Sequence, residues 1–256
     1  LRLNNKVKKD LQDALDVTAL SAASANFDID ITERAINVKS FGVKANGNYY
    51  NNADGKYYED NAYTILSTDD VDINDILTKI EMGLITTTVL TFPAGYYGFS
   101  TQGLKKISKR VTFRAENADF DSYDSVQFRI GDNIDLISSA DVTSSDWYGM
   151  TFWSIYFKCN LNSTVINWFY SLDSISYSLF RMTFDYCAFY GNTAKASTKA
   201  MIRGNGIMQS NFHYCDFAKS NSLAWDVCGD VNKFNHCRFT YLRKMINNRR
   251  IGTYGS

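Results

Sequence analysis

The residues through which this chain could do chemistry lie in its second half, beside a repeated aromatic pattern. Asp185, Asp216, Asp226 and Asp230 are carboxylates there. Glycoside hydrolysis needs two carboxyls ~5–9.5 Å apart, a spacing that neighbouring strands supply. The available pairs are Asp185 with Asp216 and Asp226 with Asp230. The segment Asp226-Val227-Cys228-Gly229-Asp230 also reads as a turn between strands. His213 and His236 could act as general bases, and a lyase would add a nearby Lys or Arg to neutralise charge. Packing or subunit contact is the competing role for both histidines. Trp153, Tyr186, His213, Tyr214 and His236 form a set of aromatics near these carboxylates. Ring faces take the CH faces of sugars and polar edges take hydroxyls, but subunit contacts use the same residue types.

Other chemistries lack their residues. The two histidines occupy different places in the repeat, and the cysteines show no metal-ligand spacing, so no metal or other cofactor is expected. Asp69-Asp70-Val71-Asp72 lacks the glycine and terminal glutamate of a calcium loop and reads as helix capping. Gly204-Asn205-Gly206 is a turn with no helix after it, not a phosphate loop.

The candidate residues must be positioned by the repeat itself. Phe184-Asp185-Tyr186-Cys187-Ala188-Phe189, Phe212-His213-Tyr214-Cys215-Asp216-Phe217 and Phe234-Asn235-His236-Cys237-Arg238-Phe239 share one pattern. Phe152-Trp153-Ser154-Ile155-Tyr156-Phe157 is a fourth copy with Ile for Cys, and a looser fifth begins near Val111-Thr112-Phe113. The starting phenylalanines Phe152, Phe184, Phe212 and Phe234 are 32, 28 and 22 residues apart. Cys187 and Phe189 share strand parity and Phe184 does not. All three face inward only if the chain bends between Phe184 and Cys187. A bend in every copy, with copies stacked ~4.8 Å apart, describes a parallel β-helix. Inward columns are then Phe152/Phe184/Phe212/Phe234, Ile155/Cys187/Cys215/Cys237 and Phe157/Phe189/Phe217/Phe239. Outward columns are Trp153/Asp185/His213/Asn235 and Ser154/Tyr186/Tyr214/His236. The competing architecture is an antiparallel sandwich, whose turns would recur every ~8–12 residues.

The rest of the chain agrees with a mainly β fold. Aromatics reach 15% and proline occurs once. Lys+Arg and Asp+Glu balance at 27 each, against a nucleic-acid binder. No stretch approaches the ~18 apolar residues of a membrane span, so no membrane insertion is expected. Five cysteines without a C-x-x-C pair read as buried, reduced thiols. Residues 1–24 carry a 7, 11, 14, 18 apolar spacing that predicts a helix, and Phe27, Ile29 and Ile31 predict a strand. Ile73, Ile76, Leu77 and Ile80 predict a helix over Asp72 to Met82, stopped by Gly83. Turn signals fill residues 42–55. The charged residues 1–16 do not read as a signal peptide, and the chain, which begins with Leu1, reads as a piece of a longer polypeptide.

Asn37-Val38-Lys39-Ser40-Phe41-Gly42-Val43-Lys44-Ala45-Asn46-Gly47 resembles the opening of pectate-lyase-like β-helix proteins, N-V-K-D-F-G-A-K-G-D-G. In that family a capping helix follows, and a Y-L-P-A-G-T-Y strand begins the coils. Here Leu90-Thr91-Phe92-Pro93-Ala94-Gly95-Tyr96-Tyr97 stands in that place, with the single proline at the family's proline. Ser40, Asn46 and an insert around Asp54 to Asn61 depart from the pattern. Bacteriophage tailspikes and tail appendages look similar. The resemblance implies a right-handed single-stranded parallel β-helix, a homotrimer, and a virion location after assembly in the host cytoplasm. It implies a virion-proximal helix and connector over 1–35 that contacts other tail or baseplate proteins. Residues 36–115 would be the capped opening with the first coils, and residues 116–256 further coils. The implied function is attachment to host surface polysaccharide. The alternatives are a depolymerase, hydrolase or lyase, acting on capsule or cell-wall glycan, and a secreted pectate-lyase-like enzyme.

Overall fold

The computed structural model describes residues 35–116, 125–139, 147–169, 179–192, 199–204, 207–227 and 232–248. The helix and strand expected over residues 1–35, apart from its last residue, lie outside this set, as do Cys228, Asp230 and Asn205-Gly206. The described residues are mainly β, with one α-helix and parallel sheets.

A first ladder of seven strands sets the frame: Ile36–Asn37, Val89–Phe92, Thr112–Ala115, Thr151–Trp153, Thr183–Asp185, Asn211–His213 and Lys233–Asn235. Every neighbour is parallel and in register, so Leu90, Phe113, Phe152, Phe184, Phe212 and Phe234 form one column. A second ladder takes Gly95–Phe99, Val126–Ile130, Ile155–Cys159, Ala188–Tyr190 and the starts of Asp216–Val227 and Arg238–Asn248. A third joins Asp135–Ser138, Thr164–Trp168, Ile202–Gly204 and the far ends of the same two long strands. A short fourth holds Trp147–Tyr148, Leu179–Phe180 and Ile207–Met208. The chain visits the ladders in that order and returns to the first. Parallel pairing across such returns rules out the sandwich, in which neighbouring strands run antiparallel.

The predicted bend is a backbone feature. Ser154, Tyr186, Tyr214 and His236 all adopt the left-handed region, at φ 56°, 53°, 51° and 53°. That conformation costs a non-glycine residue roughly 1–2 kcal/mol, and cross-repeat pairing offsets the cost. The N–H groups of Ser154, Tyr186 and Tyr214 each donate, at 2.9 Å, to the carbonyl of Asp185, His213 and Asn235 in the following copy.

Inside the bend the aromatic rows stack. Rings of Phe113, Phe152, Phe184, Phe212 and Phe234 succeed one another at 4.8, 5.1, 5.0 and 4.9 Å. Phe157, Phe189, Phe217 and Phe239 do the same at 5.1, 4.5 and 4.9 Å. These separations match the interstrand spacing of ~4.8 Å, because in-register pairing places like residues directly over one another. Cys187, Cys215 and Cys237 follow the Ile155 position, and each thiol donates to the carbonyl of the phenylalanine one repeat back, at 3.4, 3.3 and 3.3 Å. Burial pushes the Cys187 thiol up to about 12.

Helix α1 runs Asp69–Glu81, three residues earlier than the apolar period alone gives. Its buried face, Ile73, Ile76, Leu77 and Ile80, joins the core. The acidic run opens the helix as expected, with Asp69, Asp70 and Asp72 in its first turn, and two of these carboxylates also serve elsewhere. Thr68 is the N-cap, and Asp69 and Asp70 are fully buried acceptors for loops elsewhere. Asp69 takes the N–H groups of Lys44, Ala45, Asn46 and Gly98, and Asp70 those of Ser100, Thr101 and Gln102. Two carboxylates thus tie the opening segment, the helix and the second ladder together. The turn signals over 48–55 are also refined: Tyr49–Asn51 and Lys56–Tyr58 pair as an antiparallel hairpin. Its Tyr57 is fully buried and accepts from Asn160 Nδ2 at 2.5 Å.

Candidate functional site

The outward residues gather on two faces separated by a ridge. The first ladder places Trp153, Asp185, His213 and Asn235 in one register column, as the repeat predicts, and adds Arg114 to it. The Arg114 guanidinium sits 5.0 Å from the centre of the Trp153 ring. His213 Nδ1 lies 3.1 Å from Asp185 Oδ1, with both side chains partly exposed. That contact fixes Nδ1 as the donor and leaves Nε2 as the remaining nitrogen for an outside group.

The ridge is the bend itself. Because Tyr186, Tyr214 and His236 occupy left-handed corners, their side chains project from the edge between the two ladders. Tyr186 and Tyr214 stack at 5.0 Å with ring planes 4° apart, and Tyr214 and His236 at 4.8 Å and 7°. Tyr186 is 41% and Tyr214 47% exposed. Side chains of this size left in solvent do not serve this chain's core. Ser154 replaces an aromatic at the near end of the column, and its hydroxyl is buried without a hydrogen-bond partner among the described residues.

Beyond the ridge lies the outward face of the second ladder. One register column reads Tyr96, Gln127, Tyr156, Ala188, Asp216, Arg238, and the next reads Gly98, Arg129, Lys158, Tyr190, Ala218, Thr240. Arg129 stacks 3.5 Å over the Tyr96 ring, Tyr156 and Tyr190 stack at 4.6 Å, and Lys219 Nζ lies 5.3 Å from the Tyr190 ring. Burial raises the Tyr156 hydroxyl, with the Tyr190 hydroxyl beside it adding to the shift.

The carboxylate pairs separate on this frame. Asp185 belongs to the first face, whereas Asp216 is nearly buried on the second and is held bidentately by Arg238, at 2.8 and 3.2 Å. Each has a cationic or imidazole partner of its own. Asp226 is not in a turn: it lies within Asp216–Val227, paired in register with Arg203 and Asn247. The third ladder thus carries the strand two residues into the segment expected to turn, and the rest of that segment, 228–230, lies outside the described residues. Asp230 lies outside the described residues. A cleft of about 670 Å³ opens elsewhere, between α1 and the start of the third ladder, lined by Asn74, Lys105, Asn133, Asp135 and Ser138. Its carboxylate, Asp135, is already engaged by Lys199, Thr164 and Asn167.

Sequence reasoning overlooked Arg114, Arg129, Lys158, Tyr156 and Tyr190. Arg114 follows Phe113 as Trp153 follows Phe152, so the loosest copy of the repeat carried that signal. The others become neighbours only through second-ladder register. Among the described residues no group of His, Cys, Asp and Glu could hold a metal ion, and no helix is long and apolar enough to cross a membrane. No family model, curated protein or solved structure matches the chain.

Proposed function

We propose that this chain is a glycan-attachment module of a phage tail spike or fibre, a right-handed parallel β-helix that assembles as a homotrimer. The observation that carries the glycan reading is the exposed column Tyr186, Tyr214 and His236, flanked by Trp153 with Arg114 and by Asp185 with His213. A flat aromatic edge with donors and acceptors in register is suited to a repeating saccharide, because a polymer meets the same group once per repeat. Right-handedness follows from the general rule for parallel crossovers, which are right-handed in about 98% of cases. The phage setting rests on the resemblance of residues 37–47 and 90–97 to β-helix openings.

Binding without cleavage is the favoured form. A hydrolase needs an acid and a second carboxylate facing one bond, and Asp185 and Asp216 lie on opposite sides of the ridge with separate partners. The test is to incubate the chain with host surface polysaccharide and follow both retention and chain length. The expected result is retention with unchanged length, reduced at least tenfold by combining Tyr186→Ala with Tyr214→Ala. Shortened polysaccharide would replace the binding reading with the depolymerase one, and a double variant that binds as wild type would overturn the role of the ridge. A monomer in analytical ultracentrifugation would remove the trimer.

A further inference from the structure

Arg129 and Lys158 are directly opposed in the register of the second ladder, on strands Val126–Ile130 and Ile155–Cys159. Like charges opposed across strands are destabilising, and a fold ordinarily places a carboxylate between them. Here none is present among the described residues. The Arg129 guanidinium donates to Gln127 Oε1 at 3.2 Å and to the carbonyls of Gly47 and Asn48 at 3.3 and 2.9 Å, all uncharged. The Lys158 ammonium makes no hydrogen bond or ion pair among the described residues. Burial first and the Arg129 charge second pull Lys158 below its ordinary value. Two carboxylates of the same region are committed: Asp216 to Arg238, and Asp132 to the Tyr50 hydroxyl and the Leu161 N–H.

The surroundings of the two cations are flat aromatic rings. Tyr96 lies under Arg129, and the Tyr156–Tyr190 stack runs alongside. Arg129 is itself anchored by carbonyls of the segment that leads into the hairpin, so its guanidinium is held in place before any ligand arrives. One anchored and one unpaired positive group call for one negative group between them, and the aromatic row calls for a ring beside it.

We propose that Arg129 and Lys158 bind the anionic group of an acidic saccharide, with Tyr156 and Tyr190 packing against its ring. The site lies across the ridge from Trp153 and Asp185, and it deepens the glycan-attachment reading, on which it rests, by naming a charged sugar as the ligand class. A bound carboxylate relieves the repulsion between the two cations, so affinity should fall as salt is raised.

The test compares trigalacturonate, uncharged maltotriose and inorganic phosphate by calorimetry on the full chain and on Lys158→Glu. The substitution places a carboxylate opposite Arg129. It should therefore raise the melting temperature by about 1–3 °C while weakening trigalacturonate at least tenfold. Wild type should bind trigalacturonate at least tenfold more tightly than either maltotriose or phosphate. Equal binding of trigalacturonate by wild type and Lys158→Glu would overturn the site. Phosphate binding as tightly as trigalacturonate would overturn the saccharide assignment, and maltotriose doing so would overturn the charge assignment. The Tyr186→Ala, Tyr214→Ala double variant should keep its trigalacturonate affinity, so that failure of the ridge and failure of this site are read separately.

Discussion

Replacing Phe212 with alanine tests the stacked core directly. Phe212 is fully buried, with the Phe184 ring 5.0 Å away on one side and the Phe234 ring 4.9 Å away on the other. The edges of Phe189 and Phe217 close the remaining sides at 6.1 and 5.9 Å. A buried Phe→Ala change ordinarily costs about 3–5 kcal/mol, the sum of lost transfer energy and an unfilled cavity. Each lost aromatic pair adds roughly 0.5–1.5 kcal/mol beyond buried area. Collapse is restricted here, because the flanking strands are held at a fixed spacing by hydrogen bonds along the ladder. The cost should therefore reach the upper end, about 4–5 kcal/mol. Phe234 is half-buried and is stacked on Phe212 on one side, so Phe234→Ala should cost about 2 kcal/mol. Urea unfolding at a fixed chain concentration gives both values from the shift in midpoint, provided the slope is unchanged. A cost for Phe212→Ala below about 1 kcal/mol, or a Phe234→Ala cost equal to it, would refute the columnar core.

Asp70→Ala should cost about 3–5 kcal/mol and expose the backbone at 100–102 to protease, because that loop's N–H groups lose a buried charged acceptor. Tyr186→Ala should cost less than about 1 kcal/mol in the same urea assay, since the side chain is exposed. Alkaline pH should destabilise the fold through Cys187, whose folded value of about 12 exceeds its ordinary 9.0. The folded state keeps the proton while the unfolded chain loses it, so stability falls as pH rises above 9.0, by on the order of 1 kcal/mol at pH 10. Cys187→Ala should make that fall shallower, and an unchanged slope would count against the buried thiol. Gly204→Ala should prevent the third ladder from closing, because its φ is +156° and a Cβ would meet the Trp168 carbonyl oxygen at 2.0 Å; circular dichroism of a well-folded variant would contradict this.

The phenylalanine and cysteine columns were legible in the sequence because strand parity is strict. A residue's side is set by counting along the chain, and the mismatch between Phe184 and Cys187 required a bend. The structure supplies it at Tyr186, one residue with positive φ. The outward columns Trp153/Asp185/His213/Asn235 and Ser154/Tyr186/Tyr214/His236 were legible for the same reason. Helix α1 was legible from its apolar period, which fixes a buried face but says little about polar residues at the start. That is why Asp69 and Asp70 read only as first-turn residues, while their further partners at 44–46, 98 and 100–102 lie 23 to 32 residues away.

By itself, then, the sequence determined which residues share a column and where each repeat must bend. Both follow from the period-2 alternation of a strand, a local property of the chain. Only the tertiary structure decided which columns meet across a corner. It separated Asp185 from Asp216 by the ridge, carried Asp226 into a strand, and set Arg129 opposite Lys158 with no carboxylate between them among the described residues. Those outcomes depend on the register of strands about thirty residues apart and on the loops of unequal length between them, and no local pattern encodes either.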